Sequence, residues 1–434
     1  MSGSRRVVVT GAGVATALGL EVEELWRGLL DGRCGIGLIE QFPAAEFDTR
    51  IGGEVDIAQV LARLELGPHP ELDAKVRINR TLAFALWASA RAWTDSGLDR
   101  LPPQALRRGV CVGAGVFPAL EQRLAGRELN ADPIEQARTL RRTYADRPEL
   151  LTQLDPGEVS TCVATQLGCA GPVLSVQAAC TSGSQAIGHA LELVRYGEAD
   201  VVITGGADSM MSALSIVGFE LLGALSKQPD PAVASRPFDS QRDGFVIAEG
   251  AGILVLESLD HARARGARAY AELVGYGSSG DGWRFTDLHP EGEGARRSML
   301  AALSDAGIAP AQVGYLNAHG TSTLLNDLVE SAAIREIFGE RVPVSSTKSQ
   351  LGHLICAAGA IEAIVCALAL RDQILPPTIN LDHPDPSCAL DHVRGGPRAL
   401  ALDHALSNSF GFGGQNASLI FTKAPAELAR GGAS

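Results

Sequence analysis

Short apolar runs alternate with helix-like segments along the whole chain, and this alternation limits the possible folds more than any other feature. In the first half, strand and helix patterns follow one another at residues 7–10, 22–30, 78–96, 110–113, 173–176, 185–196, 201–204 and 252–257. The second half again carries strands, glycine-rich turns and buried helices in a similar order. Strands that alternate with helices are typical of α/β proteins with largely buried sheets. We therefore predict an internally duplicated α/β fold with mixed sheets.

Composition and charge exclude several classes of protein. The 434 residues are 46% hydrophobic and 20% charged, which excludes a disordered chain, and the length suffices for two domain-sized halves. A net charge of −13 disfavours a general nucleic-acid binder, because that role needs a basic surface. No apolar run approaches the roughly 20 residues that cross a bilayer. We expect a globular enzyme that binds neither nucleic acid nor membrane.

The eight cysteines and the N-terminal segment indicate the compartment. The cysteines show neither a CxxC pair nor metal-ligand spacing, so we expect no zinc site, no disulfide framework and a cytoplasmic location. The apolar stretch after Arg6 superficially resembles a secretory leader, but Gly11 and Gly13 interrupt it. We predict instead a strand, a glycine turn and an amphipathic helix at residues 22–30. A dinucleotide fingerprint at this turn is disfavoured, because Thr16 stands where the third glycine is needed.

Cys180 is the strongest candidate for a catalytic nucleophile. Three residues separate it from the strand-like run 173–176, and the helix-like segment 185–196 follows. At the first turn of a helix, unpaired N–H groups and the positive end of the helix dipole favour a thiolate over a thiol. The alternative is an inert core residue, since free cysteine is often buried. The strand-to-helix context favours the nucleophile.

Two histidines in glycine-rich polar segments complete the candidate site. His319 follows the predicted strand 313–317, within the segment Asn-Ala-His-Gly-Thr-Ser-Thr, and His353 lies five residues after Lys348. Polar clusters at strand ends usually face a cavity or a ligand. Core histidines that are hydrogen-bonded in turns are the alternative. The other seven histidines lack such a cluster, so we expect them to be structural or surface residues.

Four separated motifs together resemble the elongating β-ketoacyl-[acyl carrier protein] synthases. They are Gln-Ala-Ala-Cys-Thr-Ser-Gly at 177–183, Asn-Ala-His-Gly-Thr-Ser-Thr at 317–323, Lys-Ser-Gln-Leu-Gly-His at 348–353 and Asn-Ser-Phe-Gly-Phe-Gly-Gly at 408–414. The resemblance implies a thiolase-like fold in layers, with the nucleophile in residues 1–262 and both histidines in residues 263–434. It also implies acyl carrier protein as the partner and a homodimer, with a heterodimer as the alternative.

The resemblance implies a decarboxylative Claisen condensation in fatty-acid or polyketide-type biosynthesis. Cys180 would take the acyl group from a carrier-protein thioester, and His319 and His353 would hydrogen-bond the malonyl thioester as it loses carbon dioxide. Lys348 would bias the local field and orient His353. The backbone N–H groups of Cys180 and Phe412 would form the oxyanion hole, with Phe412 also gating the pocket. No cofactor is implied beyond the phosphopantetheine of the carrier protein.

Binding positions are assigned by the same resemblance. The pantetheine arm would contact Thr321 and Thr323, and the acyl substrate would contact Val116, Phe219 and Phe410. Some relatives surround a monovalent cation with residues at the positions of Asn317, Glu362, Ser407 and Asn408. An acidic carrier protein needs a local basic patch on this acidic enzyme, and the candidates at a helix start are Lys75, Arg77 and Arg80. An ordinary solvated helix end is the alternative for those three.

Two other functions are weighed against condensation. A non-catalytic partner subunit that sets chain length typically lacks the nucleophile, so Cys180 counts against it. A cysteine acyltransferase or hydrolase without condensation leaves His353 and Lys348 without a task. Departures from the family pattern leave the acyl chain open and favour specialised metabolism over housekeeping synthesis: the charged stretch 124–156, predicted to be a surface helical excursion, and Leu324, Leu351 and Gln415.

Overall fold

The computed structural model of the protein describes residues 4–101, 107–115, 157–284 and 286–430, together with residues 134, 138, 141, 142 and 145. Val116 and most of the stretch 124–156 lie outside these residues. The described strands are β1 (Val7–Ala15), β2 (Gly37–Leu38), β3 (Ile51–Gly52), β4 (Arg108–Ala114), β5 (Val173–Val176), β6 (Val201–Asp208), β7 (Gly250–Ser258), β8 (Ala271–Gly280), β9 (Tyr315–Asn317), β10 (Pro343–Ser345), β11 (Ile374–Leu375), β12 (Asp391–His392), β13 (Arg398–Ala399), β14 (His404–Gly411) and β15 (Gln415–Lys423).

Helices of very different lengths connect these strands. They are α1 (Val22–Leu30), α2 (Ile57–Arg63), α3 (Pro70–Val76), α4 (Arg80–Ser96), α5 (Glu158–Leu167), α6 (Ser182–Arg195), α7 (Ala213–Leu221), α8 (Pro231–Ala234), α9 (Leu259–Ala264), α10 (Glu293–Ala306), α11 (Leu324–Phe338), α12 (Lys348–Leu351) and α13 (Ala358–Asp372). Short 3₁₀ turns add further connections, of which Ala179–Thr181 and Ile355–Ala357 bear on the site.

Eleven of the strands form one mixed sheet whose two halves repeat the same order. The order β5-β4-β6-β7-β1 continues directly into β8-β15-β14-β9-β10, and β12 extends the far edge. We number only the five strands that the halves share, in chain order: β1, β4, β5, β6 and β7 in the first half, and β8, β9, β10, β14 and β15 in the second. From the outer edge inwards, each half then places its third, second, fourth, fifth and first strands side by side. The parallel and antiparallel pairings also match, and the halves join where β1 pairs with β8. The predicted internally duplicated mixed sheet is confirmed.

Helices cover the sheet in layers. The helices α6 and α13 pack against each other and against strands of both halves, whereas α4 covers β1 and β7, and α10 covers β8 and β15. Every residue from 358 to 370 in α13 is buried, as expected for a helix that is hydrophobic all round. Within the described ranges, no helix combines the length and the apolar character that a bilayer crossing requires.

The glycine turn predicted after the first strand is wrong. Gly11 and Gly13 lie inside β1, which continues to Ala15. A side chain at Gly11 would overlap the carbonyl oxygen of Ala92 in α4, and one at Gly13 would overlap that of Ala88. These glycines therefore permit a close contact between strand and helix rather than a change of chain direction.

Candidate active site

Cys180 lies in a tight 3₁₀ turn between β5 and α6. Ala179 takes a φ of 49°, a left-handed conformation that is unfavourable for a residue with a Cβ atom. Side-chain hydroxyls hold the turn: Thr181 Oγ1 donates to Ala178 O at 2.7 Å, and Ser182 Oγ donates to Ala179 O at 2.7 Å. The local sequence thus holds the sulfur at the start of a helix, as predicted, and the side chain is buried.

His319 follows β9, and a carboxylate from α11 holds its backbone. Glu330 accepts the N–H of His319 at 2.9 Å with Oε1 and the N–H of Gly320 at 2.8 Å with Oε2. Burial raises the pKa of Glu330 to about 7, although these N–H groups act in the opposite direction. Glu330 therefore positions His319 without touching its ring.

Lys348, at the start of α12, contacts His319 rather than His353. Its Nζ donates to His319 O at 2.7 Å, lies 3.3 Å from His319 Nδ1, and pairs with the buried Glu362. An ammonium can only donate hydrogen bonds, so Nδ1 of His319 accepts one and the ring proton resides on Nε2. The prediction that Lys348 orients His353 is wrong, because its hydrogen bonds go to His319 and Glu362; Lys348 acts on His353 only through its charge.

The two imidazoles lie edge to face, and aromatic rings surround them. The ring centroids of His319 and His353 are 5.3 Å apart, with an interplanar angle of 84°. Phe410 packs against His319 and Phe245 against His353, at centroid distances of 5.8 and 5.3 Å. The backbone N–H of His353 donates to Val246 O at 2.7 Å. Within the described part of the chain, Nδ1 of His353 is buried without a hydrogen-bond partner.

One cavity brings the predicted groups together. Its walls include the thiol of Cys180 and both imidazoles, and they also contain five residues predicted to bind substrate or gate the site: Thr321, Thr323, Phe219, Phe410 and Phe412. The hydroxyls of the two threonines are 3.0 Å apart. The Phe219 and Phe412 rings have centroids 6.4 Å apart. Both rings belong to the same apolar cluster as Cys180. Val116, the remaining predicted lining residue, is outside the described residues.

Burial dominates the electrostatics of the cavity. It raises the pKa of Cys180 to about 11, although Lys348 and the backbone N–H groups of Phe412 and Cys180 lower it. The resting side chain is therefore a thiol, and the thiolate expected from the helix-start position is wrong for the resting protein. Burial and the charge of Lys348 hold the pKa of His319 and His353 well below 6.5, so both rings are neutral at neutral pH.

The cations predicted to dock a carrier protein do not form a free basic patch. Lys75 pairs with Glu158 at 2.8 Å, and Arg80 pairs with the fully buried Glu249. Arg77 is 63% exposed but is bound by Asp73 at 2.9 Å, four residues earlier on the same surface. Each of these positive charges is thus paired with a carboxylate, and a docking role for Lys75, Arg77 and Arg80 stays a prediction.

Three of the four predicted cation-site residues have oxygen atoms without a partner. Asn317 and Ser407 are register neighbours on β9 and β14. Among the described residues, Asn317 Oδ1, Ser407 Oγ and Glu362 Oε2 are buried without a hydrogen-bond partner. Asn408 differs, because its Oδ1 accepts from Ser418 at 2.8 Å and its Nδ2 donates to Glu330 at 3.3 Å. The described residues contain no group of three or more His, Cys, Asp or Glu side chains that could hold a metal ion.

Three residues that act on the site were not predicted from the sequence. Glu330 positions His319, Phe245 packs on His353, and Asp208 at the end of β6 accepts the Cys356 N–H at 3.0 Å. Burial raises the pKa of Asp208 to about 6, and its charge raises the pKa of Cys180. The only signal in the sequence was the acidic residue itself. Asp208 ends a largely apolar strand, and Glu330 lies on the buried face of a helix.

Comparison with known sequences identifies the family. Residues 4–262 match the family described as Beta-ketoacyl synthase, N-terminal domain, and residues 270–382 match Beta-ketoacyl synthase, C-terminal domain. A Synechocystis sp. protein called 3-oxoacyl-[acyl-carrier-protein] synthase 2 is 43% identical over 428 residues, covering 96% of this chain and 98% of that protein. A Coxiella burnetii protein of the same name is 40% identical over 425 residues, covering 96% and 99%.

Solved structures agree with the sequence relatives. A β-ketoacyl synthase from Burkholderia phymatum is 34% identical, with a TM-score of 0.83 and coverage of 97% of this chain and 100% of that one. A structure of a type II polyketide acyl-carrier protein in complex with its ketosynthase gives a TM-score of 0.85 at 35% identity, with coverage of 97% and 100%. These chains share the duplicated fold described above. With family matches over most of its residues and relatives aligned over nearly its whole length, this chain belongs to the beta-ketoacyl synthase family.

Proposed function

We propose that this protein catalyses the decarboxylative Claisen condensation of an enzyme-bound acyl group with malonyl-[acyl carrier protein], which gives β-ketoacyl-[acyl carrier protein] and carbon dioxide. The observation that carries the proposal is the shared cavity of Cys180, His319 and His353. A thiol alone suffices for acyl transfer. Two neutral imidazoles beside it supply the hydrogen bonds that an enolate intermediate needs.

Acyl transfer begins with loss of the Cys180 proton. His319 has its Nδ1 committed to Lys348, so His353, whose Nδ1 has no partner, is the imidazole that accepts this proton. The sulfur attacks the carbonyl of the acyl thioester, and the N–H groups of Cys180 and Phe412 stabilise the resulting oxyanion. The pantetheine thiolate leaves and takes the proton from His353. Cys180 then carries the acyl group, and His353 is neutral again.

Condensation uses the second half of the site. The malonyl carboxylate leaves as carbon dioxide, and its bonding electron pair forms an enolate on the thioester. The enolate oxygen accepts a hydrogen bond from His319 Nε2–H and a second one from His353. The enolate carbon attacks the carbonyl of acyl-Cys180, a carbon–carbon bond forms, and the carbon–sulfur bond breaks. Cys180 leaves as a thiolate, which takes up one proton from water to restore the resting thiol.

Substrates enter on the phosphopantetheine of acyl carrier protein, and no resident cofactor takes part in this scheme. The paired hydroxyls of Thr321 and Thr323 on the cavity wall contact the pantetheine arm, and the aromatic Phe219 and Phe410 contact the acyl group. Phe412, which Gly411 precedes and Gly413 and Gly414 follow, gates the entrance. Gly413 and Gly414 both have positive φ angles, 88° and 72°, which only glycine adopts readily.

The test of this function is an incubation with acyl-carrier and malonyl-carrier proteins, followed by mass spectrometry of the protein and of both carriers. Condensation is expected to leave a β-ketoacyl group, two carbons longer than the donor, on the second carrier. Acylated Cys180 without extension would instead establish a cysteine acyltransferase. No acylation at all would support a chain-length-determining partner subunit, and either result overturns the proposal.

We also propose a monovalent cation site next to the histidines. Asn317 Oδ1, Ser407 Oγ and Glu362 Oε2 are hard oxygen donors that lack partners within the described chain, and a cation would satisfy all three. Both polar atoms of the Asn408 side chain are already hydrogen-bonded, one to Ser418 and one to Glu330. We therefore assign Asn408 no direct contact with the cation. Replacing potassium and sodium by tetramethylammonium is expected to lower the unfolding temperature; an unchanged value in the wild type would contradict the site.

We further propose that the protein works as a homodimer through β5. This strand is an edge of the eleven-stranded sheet, and it exposes Val173 and Leu174. Apolar edge strands are templates for pairing with another chain. Leu174→Arg is expected to halve the solution mass, whereas Leu300→Arg, an exposed leucine on α10, is not. A wild-type protein that is monomeric alone and dimeric only with a second kind of chain would favour the heterodimer.

The division into halves and the location are proposals of the same kind. The repeated strand order supports a boundary between residues 1–262, which carry Cys180, and residues 263–434, which carry both histidines. The eight cysteines, all free, support a location in the reducing cytoplasm. Separate expression of the two segments, with recovery of activity on mixing, tests the boundary. Failure to associate would contradict it.

A further inference from the structure

A second buried thiol lies beside the catalytic cavity. Cys356 belongs to the same apolar cluster as Cys180, whereas the other described cysteines belong to different clusters. Its preceding neighbour, Ile355, lines the cavity together with Cys180. Cys356 itself is 4% exposed. The proposed condensation gives this second thiol no task.

The turns that carry the two cysteines pack against each other. Cys180 is the middle residue of the 3₁₀ turn Ala179–Thr181, and Cys356 is the middle residue of the 3₁₀ turn Ile355–Ala357. Most Cα pairs across these two turns are no more than 8 Å apart. A disulfide joins Cα atoms that are about 4.4–6.8 Å apart. A small adjustment of either turn therefore brings Cys356 within reach of Cys180.

Both turns begin at a strained residue. Ala179 has a φ of 49° and Ile355 a φ of 47°, left-handed conformations that are unfavourable for residues with a Cβ atom and especially for β-branched ones. Such strain persists only where the surrounding structure maintains it. An adjustment of these turns releases part of this strain, which offsets part of the cost of moving them.

Asp208 provides a base beside the second thiol. Its Oδ2 accepts the Cys356 N–H at 3.0 Å. Burial raises the pKa of the Cys356 thiol well above its usual value, and the charges of Asp208 and Cys180 raise it further. Among the described residues, Asp208 Oδ1 is buried without a hydrogen-bond partner. The carboxylate of Asp208 is therefore available to accept the proton of Cys356.

We propose that Cys356 is a redox modification site, which forms a reversible disulfide with Cys180 under hydrogen peroxide and so protects the nucleophile from further oxidation. This inference goes beyond the proposed function, because the disulfide requires neither an acyl group nor a carrier protein. In the resting protein all described cysteines are free thiols. Disulfides that form transiently on such thiols are the kind found in reducing compartments.

The two steps of disulfide formation balance with hydrogen peroxide as the oxidant. His353 takes the Cys180 proton, the sulfur attacks one peroxide oxygen, and the O–O bond breaks. The hydroxide that leaves takes the proton from His353, and Cys180 is now a sulfenic acid. Asp208 takes the Cys356 proton, the Cys356 sulfur attacks the Cys180 sulfur, and the S–O bond breaks. The second hydroxide takes the proton from Asp208, so two thiols and one peroxide give one disulfide and two waters.

The test exposes the reduced protein to hydrogen peroxide without substrates and maps its peptides by mass spectrometry. The wild type is expected to lose about 2 Da and to yield one peptide pair joined through Cys180 and Cys356. Dithiothreitol should then restore most of the β-ketoacyl product formation. In Cys356→Ser, Cys180 should instead gain about 32 Da as a sulfinic acid, and the activity recovered with dithiothreitol should be at least about fivefold lower than in the wild type.

Cys388→Ala is the matched control. Cys388 is also buried, but it lies in a different apolar cluster from Cys180. This variant should form the disulfide and recover its activity like the wild type. If Cys356→Ser does not fold, Cys356→Ala replaces it, and the peptide map of the wild type decides the question without any variant.

Different results overturn different claims. A wild-type protein in which peroxide converts Cys180 to a sulfinic acid, with no peptide joined to Cys356, overturns the inference. The same holds if Cys180 stays unmodified at peroxide concentrations that oxidise free cysteine, or if the Cys356 variant recovers as fully as the wild type. A disulfide between Cys180 and Cys356 in a protein that forms no β-ketoacyl product supports the inference and overturns only the proposed function.

Discussion

The two halves of the sheet share one strand order but end in different chemistry. The third strand of the first half, β5, leads to Cys180, and the third strand of the second half, β10, leads to Lys348. The second strand of each half leads to Gly115 in one case and to His319 in the other. One half thus supplies a nucleophile, and the other supplies an ammonium and the imidazoles. A duplicated scaffold brings equivalent loops to one cavity, and each copy can then be specialised separately.

The fourth strands extend this comparison, because their ends act on the same sulfur with opposite effects. The first half ends β6 at Asp208, whose charge raises the pKa of Cys180. The second half ends β14 just before Phe412, whose backbone N–H lowers that pKa. Burial holds the sulfur as a thiol; among the nearby charged side chains, Asp208 of the first half opposes its ionisation and Lys348 of the second half favours it. Variants in the two halves should accordingly separate acylation from condensation.

The largest effect is expected for Cys180→Ala, which removes the nucleophile of the first half. Acyl transfer and condensation should both fall at least a thousandfold, because Cys180 carries the only thiol among the described residues that line the cavity. Mass spectrometry after mixing with the acyl donor measures the adduct. Cys34→Ala is the control, since Cys34 is the one cysteine that is not buried, and it should acylate normally. An acyl adduct that persists in Cys180→Ala would place the nucleophile elsewhere.

Replacing the histidines of the second half is expected to separate the two steps. His319→Ala should lower condensation by about 10²–10³-fold, the usual cost of one hydrogen-bond donor to a developing oxyanion, while acylation of Cys180 stays within a few-fold. His353→Ala should slow both steps, because His353 also accepts the thiol proton. Single-turnover acylation and full turnover measure the two steps in each variant. Equal losses of both steps in His319→Ala would contradict the division of roles.

Local signals in the sequence predicted much of the fold and the centre of the site. The strand 173–176 and the helix at residues 22–30 have the predicted bounds. Each is a short apolar pattern with a glycine close to one end, so a few neighbouring residues suffice to predict it. Cys180 and His319 each follow a strand, whereas His353 follows the short helix α12; strand ends on one edge of a sheet converge. The same reasoning failed at Gly11 and Gly13, since glycine signals both turns and close contacts between elements.

Pairings between distant residues were not predictable. Lys75 and Glu158 are 83 residues apart, and Arg80 and Glu249 are 169 apart, so no local pattern shows that these cations are already neutralised. The thiol state of Cys180 was missed for a similar reason. Burial, which depends on the packing of the whole molecule, outweighs the helix-start effect that the sequence does show.

A smaller effect, roughly 10- to 100-fold on condensation, is expected for Lys348→Met. Loss of the ammonium frees His319 Nδ1 and allows the wrong tautomer. Because the charge of Lys348 lowers the pKa of His319, the acid limb of the condensation rate should also move to higher pH. Lys348→Met/Glu362→Gln removes the unpaired carboxylate and keeps the prediction testable if the single variant is unstable. Lys423→Met, at an exposed ion pair, is the control. An unmoved acid limb would show that Lys348 does not act through His319.

The smallest effect on turnover, about threefold to tenfold, is expected for Glu330→Gln, which keeps one of the two acceptors that hold the His319 loop. Its clearest effect is on stability. The folded pKa of Glu330 is about 7, above the usual 4.5, so the folded protein holds this proton where the unfolded chain has lost it. This contribution to stability is fully present below pH 4.5 and is lost as the pH rises to 7.

The wild type should therefore lose about 3 kcal/mol of unfolding free energy relative to Glu330→Gln between pH 4.5 and 7. Urea unfolding of both proteins across this range measures the difference. Glu336→Gln, on the same helix but exposed, should follow the wild-type curve, because its ion pair with Arg296 lies at the surface. Parallel curves for the wild type and Glu330→Gln would show that the carboxyl of Glu330 titrates at an ordinary pH. The second half of the site would then hold His319 with a permanent carboxylate rather than with a group that titrates near neutrality.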